Sequence, residues 1–222
     1  MPRKSFQREM DELQTNVRTF GDAVTVRLRR AVTAIERRDK DLAQTVVEGD
    51  GAINDRYVEL ERKCIDLFAL QQPVASDLRI VAATYKILTD LERIADLAGN
   101  LASAVVDAET IVAASIDIVE LGNLAIEMVE DALHAYVYED TALCFDVAER
   151  DDRLDDLSED AAAGLIRELS EMRATTAEPD ALLGDVRRLL LTIRDLERVG
   201  DHAVNVAART LYLTESDDEL LY

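Results

Sequence analysis

Apolar residues recur three or four positions apart along most of this chain. In the first stretch, Leu13, Val17, Phe20, Val24 and Leu28 follow this spacing, which places them on one face of an α-helix. Five further stretches show the same period, and polar or proline-containing segments separate them. The pattern predicts six helices, at residues 5–37, 40–70, 76–107, 111–138, 140–172 and 180–213.

Local signals support several of these boundaries. Asp39 and Asp140 stand where the N-caps of the second and fifth helices are expected, since an aspartate there can accept a hydrogen bond from a free backbone N–H. The second helix should end at Gln72 and Pro73, because proline cannot continue the helical hydrogen-bond ladder. The other predicted boundaries are an N-cap of the third helix at Ser76 or Asp77, and a break between the fifth and sixth helices at residues 175–180.

One of these helices occurs twice. The segments 90–102 and 195–207, which are 105 residues apart, are identical at eight of thirteen positions. Upstream of each, residues 46–54 align with residues 147–155 at an offset of 101. A duplication of this extent indicates two related units of three helices. We therefore predict an all-α fold of two tandem, pseudo-symmetric, antiparallel three-helix bundles, divided into residues 1–108 and 109–222.

The composition agrees with this fold and narrows the function. Gly and Pro are rare, with 8 and 3 residues, and Trp is absent; no alternating run of Val, Ile or Thr between turn signals suggests a strand. The formal net charge of −21 argues against a nucleic acid partner, since phosphate backbones attract an excess of Lys and Arg. Four Lys against twenty-one Arg in so acidic a chain resembles halophile proteins, whose surface charge is screened by high salt.

The sequence also predicts a soluble, cytoplasmic protein. Cys64 and Cys144 are isolated, which favours buried thiols in a reducing compartment over a disulfide. The N-terminal ten residues contain no apolar stretch of signal-peptide length. The most apolar segments, such as 111–119 and 189–193, are too short or too interrupted by charge to span a membrane.

Each copy of the duplicated helix carries Glu, Asp and Asn four residues apart. Positions i, i+4 and i+8 lie on one face of a helix, so each copy presents a row of oxygen donors. If the chain turns at Gln72 and Thr176, two more polar residues of the preceding helix stand at about the same height in each half, given about 1.5 Å of rise per residue. The two rows are Glu92, Asp96 and Asn100, and Glu197, Asp201 and Asn205; the matching pairs are Asp50 with Asn54 and Asp151 with Asp155.

Clustered carboxylate and amide oxygens on adjacent helices favour a bound cation. Hard metal ions take all-oxygen ligands, so one metal site in each half is the leading hypothesis. Ala95 and Gly99 in one copy, and Gly200 in the other, would leave room for an ion or a cluster. The alternative is a solvated acidic face with small residues for close helix packing. Repetition in both halves, with matched polar pairs on the preceding helices, favours the metal site.

Other candidate chemistry is weaker. His202 could add a nitrogen ligand, although a lone histidine is more often an ordinary polar residue, and His134 has no motif around it. Neither has a Glu three residues before it, which disfavours an oxygen-activating di-iron site. With no Gly-rich phosphate loop and no catalytic triad, no catalytic residue is assigned. A basic group on the first helix is interpreted as a salt-bridged surface or as a docking surface for an acidic partner: Arg27, Arg29, Arg30, Arg37 and Arg38.

These features together resemble the PhoU family, the regulators of phosphate uptake. The family's mark is a pair of three-helix bundles, each with a Glu/Asp-x-x-x-Asp-x-x-x-Asn/Asp motif, which this chain shows twice. The run Gln72-Pro-Val-Ala-Ser-Asp-Leu-Arg79 is also similar to the family's first-repeat signature. The resemblance covers essentially the whole chain.

The resemblance implies a cytoplasmic, non-enzymatic protein that forms a homodimer and associates peripherally with the ATPase subunit of the phosphate-specific ABC transporter. It also implies contact with a phosphate-sensing histidine kinase and restraint of the phosphate-starvation response. Its metal would be an iron or zinc cluster, while the oxygen donors also suit Mg, Mn or Ca. The implied metal ligands are Asp50, Asn54, Glu92, Asp96 and Asn100 in the first half, and Asp151, Asp155, Glu197, Asp201 and Asn205 in the second.

The chain departs from the family pattern at two places. Asn54 stands where the second half has Asp155, so the two sites need not bind metal equally. The second half also lacks a Gln-Pro-x-x-Ser-Asp-Leu-Arg run, having Glu178-Pro179 and Asp185-Val-Arg187 instead. Two rival functions are a metal-dependent hydrolase of phosphate esters, for which no dedicated general base is present, and a purely structural helical module with a solvated acidic face.

Overall fold

Helices make up nearly all of the chain that the structure, a computed structural model, describes: residues 3–70, 75–108, 117–172 and 179–221. The elements are α1 Arg3–Arg37, α2 Lys40–Glu48, α3 Asp50–Leu70, α4 Ala75–Val106, α5 Ile118–Tyr138, α6 Thr141–Met172, α7 Pro179–Glu215 and a short 3-10 turn at Glu219–Leu221. These ranges contain no strand, and the prediction of an all-α protein with two tandem bundles is confirmed. The predicted turns at Gln72 and Thr176, and the start of the fourth predicted helix at residue 111, lie outside the described residues.

Each half is a bundle, and the two bundles share one apolar core. In the first half α1, α4 and the α2–α3 pair pack together, and in the second half α5, α6 and α7 do so. Between the halves, α4 packs on α7 and α1 contacts α5. The apolar stripe predicted on α1 is buried, with Leu13, Val17, Phe20, Val24 and Leu28 each at most 1% exposed. One cluster of buried side chains from α1 to α7 therefore runs through both halves.

The predicted single helix at 40–70 is interrupted at Gly49. The first part ends at Glu48, and the Gly49 N–H donates to the carbonyls of Thr45 and Val47 before α3 begins at Asp50. Glycine is a poor helix-interior residue and commonly ends helices. At the equivalent place α6 runs without a break from Thr141 to Met172. The interruption places Asp50 at the start of a helix in the first half only.

The two helix ends that precede α2 and α6 have the same form. Arg38 and Glu139 both adopt positive φ, at 55° and 56°, which is the left-handed conformation typical of the residue after a helix. The predicted N-caps follow directly and are confirmed, because Asp39 accepts from Leu42 N at 2.9 Å and Asp140 accepts from Leu143 N at 3.1 Å. The predicted cap of the next helix is corrected: α4 begins at Ala75, so residues 76 and 77 lie within its first turn.

Two smaller predictions can also be checked. Cys64 and Cys144 are both buried free thiols, as expected, and burial raises the pKa of Cys64 to about 12 and that of Cys144 to about 11. Among the described helices, none has the length and apolar character needed to cross a membrane.

Candidate metal sites in the two halves

Four carboxylates meet between α6 and α7. Asp151 and Asp155 lie one turn apart on α6, and Glu197 and Asp201 have the same spacing on α7. They are close enough for the charge of one to shift the pKa of another, within each helix and between the two helices. The structure therefore brings together the four acids that the sequence predicted for the second half.

Burial and mutual repulsion make the ionised state of this group costly. Burial, followed by repulsion from Asp155 and Asp201, raises the pKa of Asp151 to about 7. The pKa of Asp155 is raised by burial and then by Asp201. Burial, then Asp155 and Asp201, also raise the pKa of Glu197, while Arg194 opposes the shift. These directions are those expected of carboxylates that share a partly desolvated space without a compensating charge.

Two buried oxygen atoms beside this carboxylate group have no hydrogen-bond partner. They are Asp151 Oδ1 and Ser158 Oγ, and the Ser158 residue is only 2% exposed. Ser158 also lines an open groove of about 450 Å³ together with Asp155, Arg194 and Glu197. Buried polar atoms are normally hydrogen-bonded, so an unpaired carboxylate oxygen among further carboxylates is a position that a cation would satisfy. No sequence signal marks Ser158, because its role depends on burial.

The first half repeats the helix arrangement with one acid fewer. Asp50 lies on α3, and Glu92 and Asp96 lie one turn apart on α4. Burial, then Asp96, raises the pKa of Glu92; Arg93 opposes this shift, and Asp50 adds to it. Arg93 lies 3.8 Å from a Glu92 oxygen and 3.9 Å from an Asp96 oxygen, with its own side chain 56% exposed. The three predicted acids of this half are thus also neighbours.

A buried arginine completes the first site and was not predicted there. Arg27 of α1 donates from Nη2 to Asp50 Oδ1 at 2.8 Å, from Nη1 to Val46 O at 2.6 Å and from Nε to Ala95 O at 3.0 Å. Burial lowers the pKa of Arg27, while Asp50 and Asp96 oppose that shift. The assignment of Arg27 to a surface group of arginines is wrong, since the residue is 6% exposed.

The other arginines of that group are exposed at the surface. Arg29 pairs with Glu130 of α5, and Arg30, Arg37 and Arg38 are exposed on and just after α1. A signal for Arg27 was present in the sequence. It lies three residues after Val24 and four before Ala31, on the apolar stripe of α1, where a charged residue needs a partner.

The small residues beside the rows have different neighbours in the two halves. A Cβ at Gly99 would lie 3.0 Å from Arg27 Nη2, so this glycine makes room for the guanidinium. A Cβ at Gly200 would lie 2.5 Å from Leu154 Cδ2 and 2.9 Å from Asp151 Oδ1. Gly200 therefore lets α7 approach the acidic face of α6. The space predicted for an ion beside Gly99 is filled by a side chain of the protein itself.

The predicted amide ligands and His202 lie partly in the contact between the halves. The Asn100 side chain of α4 is near enough to Asp195 on α7 to oppose the rise in the pKa of that carboxyl, and His202 Nδ1 of α7 lies 2.9 Å from Asp90 Oδ1 on α4. These two contacts show that α4 and α7 run antiparallel across the molecule. The remaining amides lie on the expected helices: Asn54 is exposed on α3, and Asn205 is half-buried on α7.

The residues of the second half fit a cation better than those of the first. The second half offers four carboxylates, an unpaired buried oxygen and no ion pair to any of the four acids among the described residues. In the first half Asp50 already has a buried cation. As the side chains stand, the described residues contain no group of three or more His, Cys, Asp or Glu arranged to hold a metal ion. The acids would therefore have to rotate to converge on one.

The duplicated architecture is that of a known family. The PhoU domain model matches the chain twice, at residues 17–105 and 118–210. The chain belongs to the PhoU family.

Similar proteins match over nearly their whole length. The "phosphate-specific transport system accessory protein PhoU homolog" of Clostridium acetobutylicum is 32% identical over 216 residues, covering 96% of this chain and 95% of that protein. The PhoU homolog of Caulobacter vibrioides strain NA1000 is 34% identical over 213 residues, covering 92% and 87%. The crystal structure of PhoU from Pseudomonas aeruginosa aligns with a TM-score of 0.86 at 30% identity, covering 96% of this chain and all of that one.

Proposed function

We propose that this PhoU-family chain is a metal-binding regulator of phosphate uptake that acts through protein–protein contacts. The regulatory role is supported by family membership in both halves and by relatives named as accessory proteins of phosphate-specific transport. The partners implied are the ATPase subunit of a phosphate-specific ABC transporter and a phosphate-sensing histidine kinase. The role requires binding and no catalysis.

The observation that carries the metal proposal is the carboxylate group between α6 and α7. Asp151, Asp155, Glu197 and Asp201 repel one another, and Asp151 Oδ1 is buried without a partner. A cation coordinated by these oxygens would remove the repulsion and connect the two helices. All-oxygen donors suit Mg, Mn or Ca and also accept iron or zinc, for which the resemblance to the family argues.

A homodimer in the cytoplasm, attached to the membrane only through the transporter, completes the proposal. The formal net charge of −21 would attract the chain to a basic surface of a partner and would make the association sensitive to salt. The experiment should therefore vary the salt concentration and the metal together.

Partner binding can be tested with the purified chain and the purified ATPase subunit of its transporter. Titration calorimetry should show a complex with the metal-loaded wild type and a weaker complex with the double variant Glu197→Gln/Asp201→Asn. The matched control is Asp217→Asn/Asp218→Asn, which removes two acids after α7, outside the carboxylate group. Equal affinity for all three proteins would contradict a role of the metal in docking, and failure of the wild type to bind would contradict the transporter partner.

A hydrolase is tested separately. The metal-loaded protein should release no product from p-nitrophenyl phosphate above the rate of the metal alone. Turnover that disappears in Glu197→Gln/Asp201→Asn would instead support the phosphate-ester hydrolase.

A further inference from the structure

Arg27 is built into the first acidic site as a fixed positive charge. All three of its guanidinium nitrogens donate a hydrogen bond: one to Asp50, one to the carbonyl of Val46 and one to the carbonyl of Ala95. Val46 lies in the last turn of α2, where carbonyls lack intrahelical partners. The arginine thus binds the interrupted helix pair to α4, with 6% of its surface exposed.

The Arg27 guanidinium lies beside the acids of the first half, where it provides the positive charge that a metal ion would otherwise provide. Asp50 Oδ1 is held by Arg27 at 2.8 Å, and Asp96 is near enough to act electrostatically on the same guanidinium. A guanidinium cannot lose its proton under ordinary conditions. A cation entering beside it would be repelled by the fixed guanidinium charge and would find one of the two Asp50 oxygens already hydrogen-bonded to Arg27. The first half therefore does not fit a resident metal.

The second half has a methionine at the same position. The two PhoU matches begin at residues 17 and 118, an offset of 101, which pairs Arg27 with Met128. Met128 is fully buried, and its Cε would lie 3.4 Å from a Cβ at Gly200. It therefore approaches α7 beside Asp151 but brings no charge. Arg150, which aligns with Gly49, pairs with Asp131 of α5 instead of with the acidic group.

A second difference between the halves also makes the first site less suited to a metal ion. Asn54 aligns with Asp155, so the first site has one carboxylate fewer and one buried cation more than the second. We propose that the Arg27 guanidinium is the built-in cation of the first acidic site and that the second half alone takes a metal ion. This inference rests on the proposed metal-binding function and restricts it to one half of the duplication.

Bound zinc in matched double variants tests the assignment directly. Wild type, Glu92→Gln/Asp96→Asn and Glu197→Gln/Asp201→Asn are dialysed against ZnCl2, and their zinc is measured by plasma mass spectrometry. The two double variants change the same positions of the repeat. The first-half variant should retain the zinc content of the wild type, while the second-half variant should lose nearly all of its bound zinc.

The reverse test converts the first site into the form of the second. Arg27→Met should add a second complement of zinc, and adding Glu92→Gln/Asp96→Asn to this variant should remove it again. Circular dichroism with and without zinc reports whether Arg27→Met is folded. If it is unfolded, the comparison of the two double variants still decides, because those acids are at the surface or half-buried.

The outcomes distinguish the role of Arg27 from metal binding by the chain as a whole. Zinc lost from the first-half variant would overturn the role of Arg27 and leave metal binding by the chain intact. A folded Arg27→Met protein that gains no zinc would have the same effect. A wild type without zinc at either site would overturn both the metal proposal and its restriction to the second half.

Discussion

The two halves of this molecule match the same domain family and differ in their electrostatics. Both present acids on a pair of neighbouring helices. In both, the preceding helix is followed by a residue of positive φ, Arg38 or Glu139. In the first half a buried guanidinium lies against Asp50, whereas in the second a buried methionine leaves Asp151 with an unpaired oxygen. The first half thus places a positive charge of the protein itself beside its acids, whereas the second half has a methionine at the aligned position.

The difference extends to the helices themselves. In the first half the chain is interrupted at Gly49, and Arg27 donates to a carbonyl in the last turn before the interruption. In the second half α6 is continuous, and the arginine at the equivalent place pairs outward with α5. The compensated site thus lies at a helix break, and the uncompensated site lies along an intact helix.

The largest effect is expected from Arg27→Met. The change leaves the buried carbonyls of Val46 and Ala95 without their donor, and a buried acceptor left unsatisfied costs about 1–3 kcal/mol for each group. The Asp50 carboxylate, 57% exposed, adds little because water can hydrate it. Urea unfolding in the presence of a chelator measures the loss. The matched control is Arg29→Met, because Arg29 pairs with Glu130 at the surface and should cost about 1 kcal/mol or less. Equal losses of unfolding free energy in the two variants would mean that Arg27 stabilises the fold no more than a surface arginine does.

A stabilising change is expected in the second half. The pKa of Asp151 is raised to about 7 in the folded protein, from an ordinary value of 3.8, so the unfolded chain releases its proton first. Folding is then favoured least above pH 7, and the loss develops as the pH rises from about 4 to about 7. Without metal, Asp151→Asn should stabilise the protein at pH 7.5 by about 2 kcal/mol, discounted for the part of the side chain that water screens.

The pH profile checks this prediction more sharply than a single value. The difference in unfolding free energy between wild type and Asp151→Asn should be small at pH 4 and grow towards pH 7. The matched control is Asp160→Asn, which changes an exposed side chain nine residues along the same helix and should show no such growth. A difference between wild type and Asp151→Asn that is constant with pH would contradict a pKa of Asp151 raised by burial and by the neighbouring carboxylates.

The helical periodicity and the repeat were enough to predict the architecture and the location of the acids. Apolar residues three and four apart give the helices, and the eight identities between segments 90–102 and 195–207 give the duplication. The N-caps Asp39 and Asp140 followed from side-chain chemistry that acts within one turn of the chain. Such local signals survive in a sequence because they need no partner from elsewhere.

The electrostatic difference between the sites could not be predicted in the same way. Arg27 and Asp50 are distant in sequence and meet only when α1 packs beside the α2–α3 pair. An alignment of α1 with α5 pairs Arg27 with Met128 and so indicates that the second half lacks this positive charge. The unpaired Ser158 Oγ depends on burial and has no sequence signal.

A smaller effect is expected where α7 contacts α4. His202 binds Asp90 at 2.9 Å, and the residue at the equivalent position of the first repeat is Leu97. His202→Leu would make the two positions alike and leave a mostly buried carboxylate without its partner, at a cost of about 1 kcal/mol. Thermal unfolding measures the loss, with the exposed His134→Leu as the control. Equal melting temperatures for wild type and His202→Leu would show that this contact contributes nothing to holding the halves together.

The smallest effect is expected at the turns before α2 and α6, where the two halves are alike. Arg38 and Glu139 both hold a positive φ, near 55°, which costs a residue other than glycine about 1 kcal/mol. Arg38→Gly and Glu139→Gly should each stabilise the protein by about 0.5 kcal/mol, since glycine relieves the strain but adds freedom to the unfolded chain. Chemical unfolding of both variants measures the gains. Because Asp39 and Asp140 cap the following helices alike, the two gains in stability should be equal. Unequal gains would mean that the two turns, like the two acidic sites, differ between the halves.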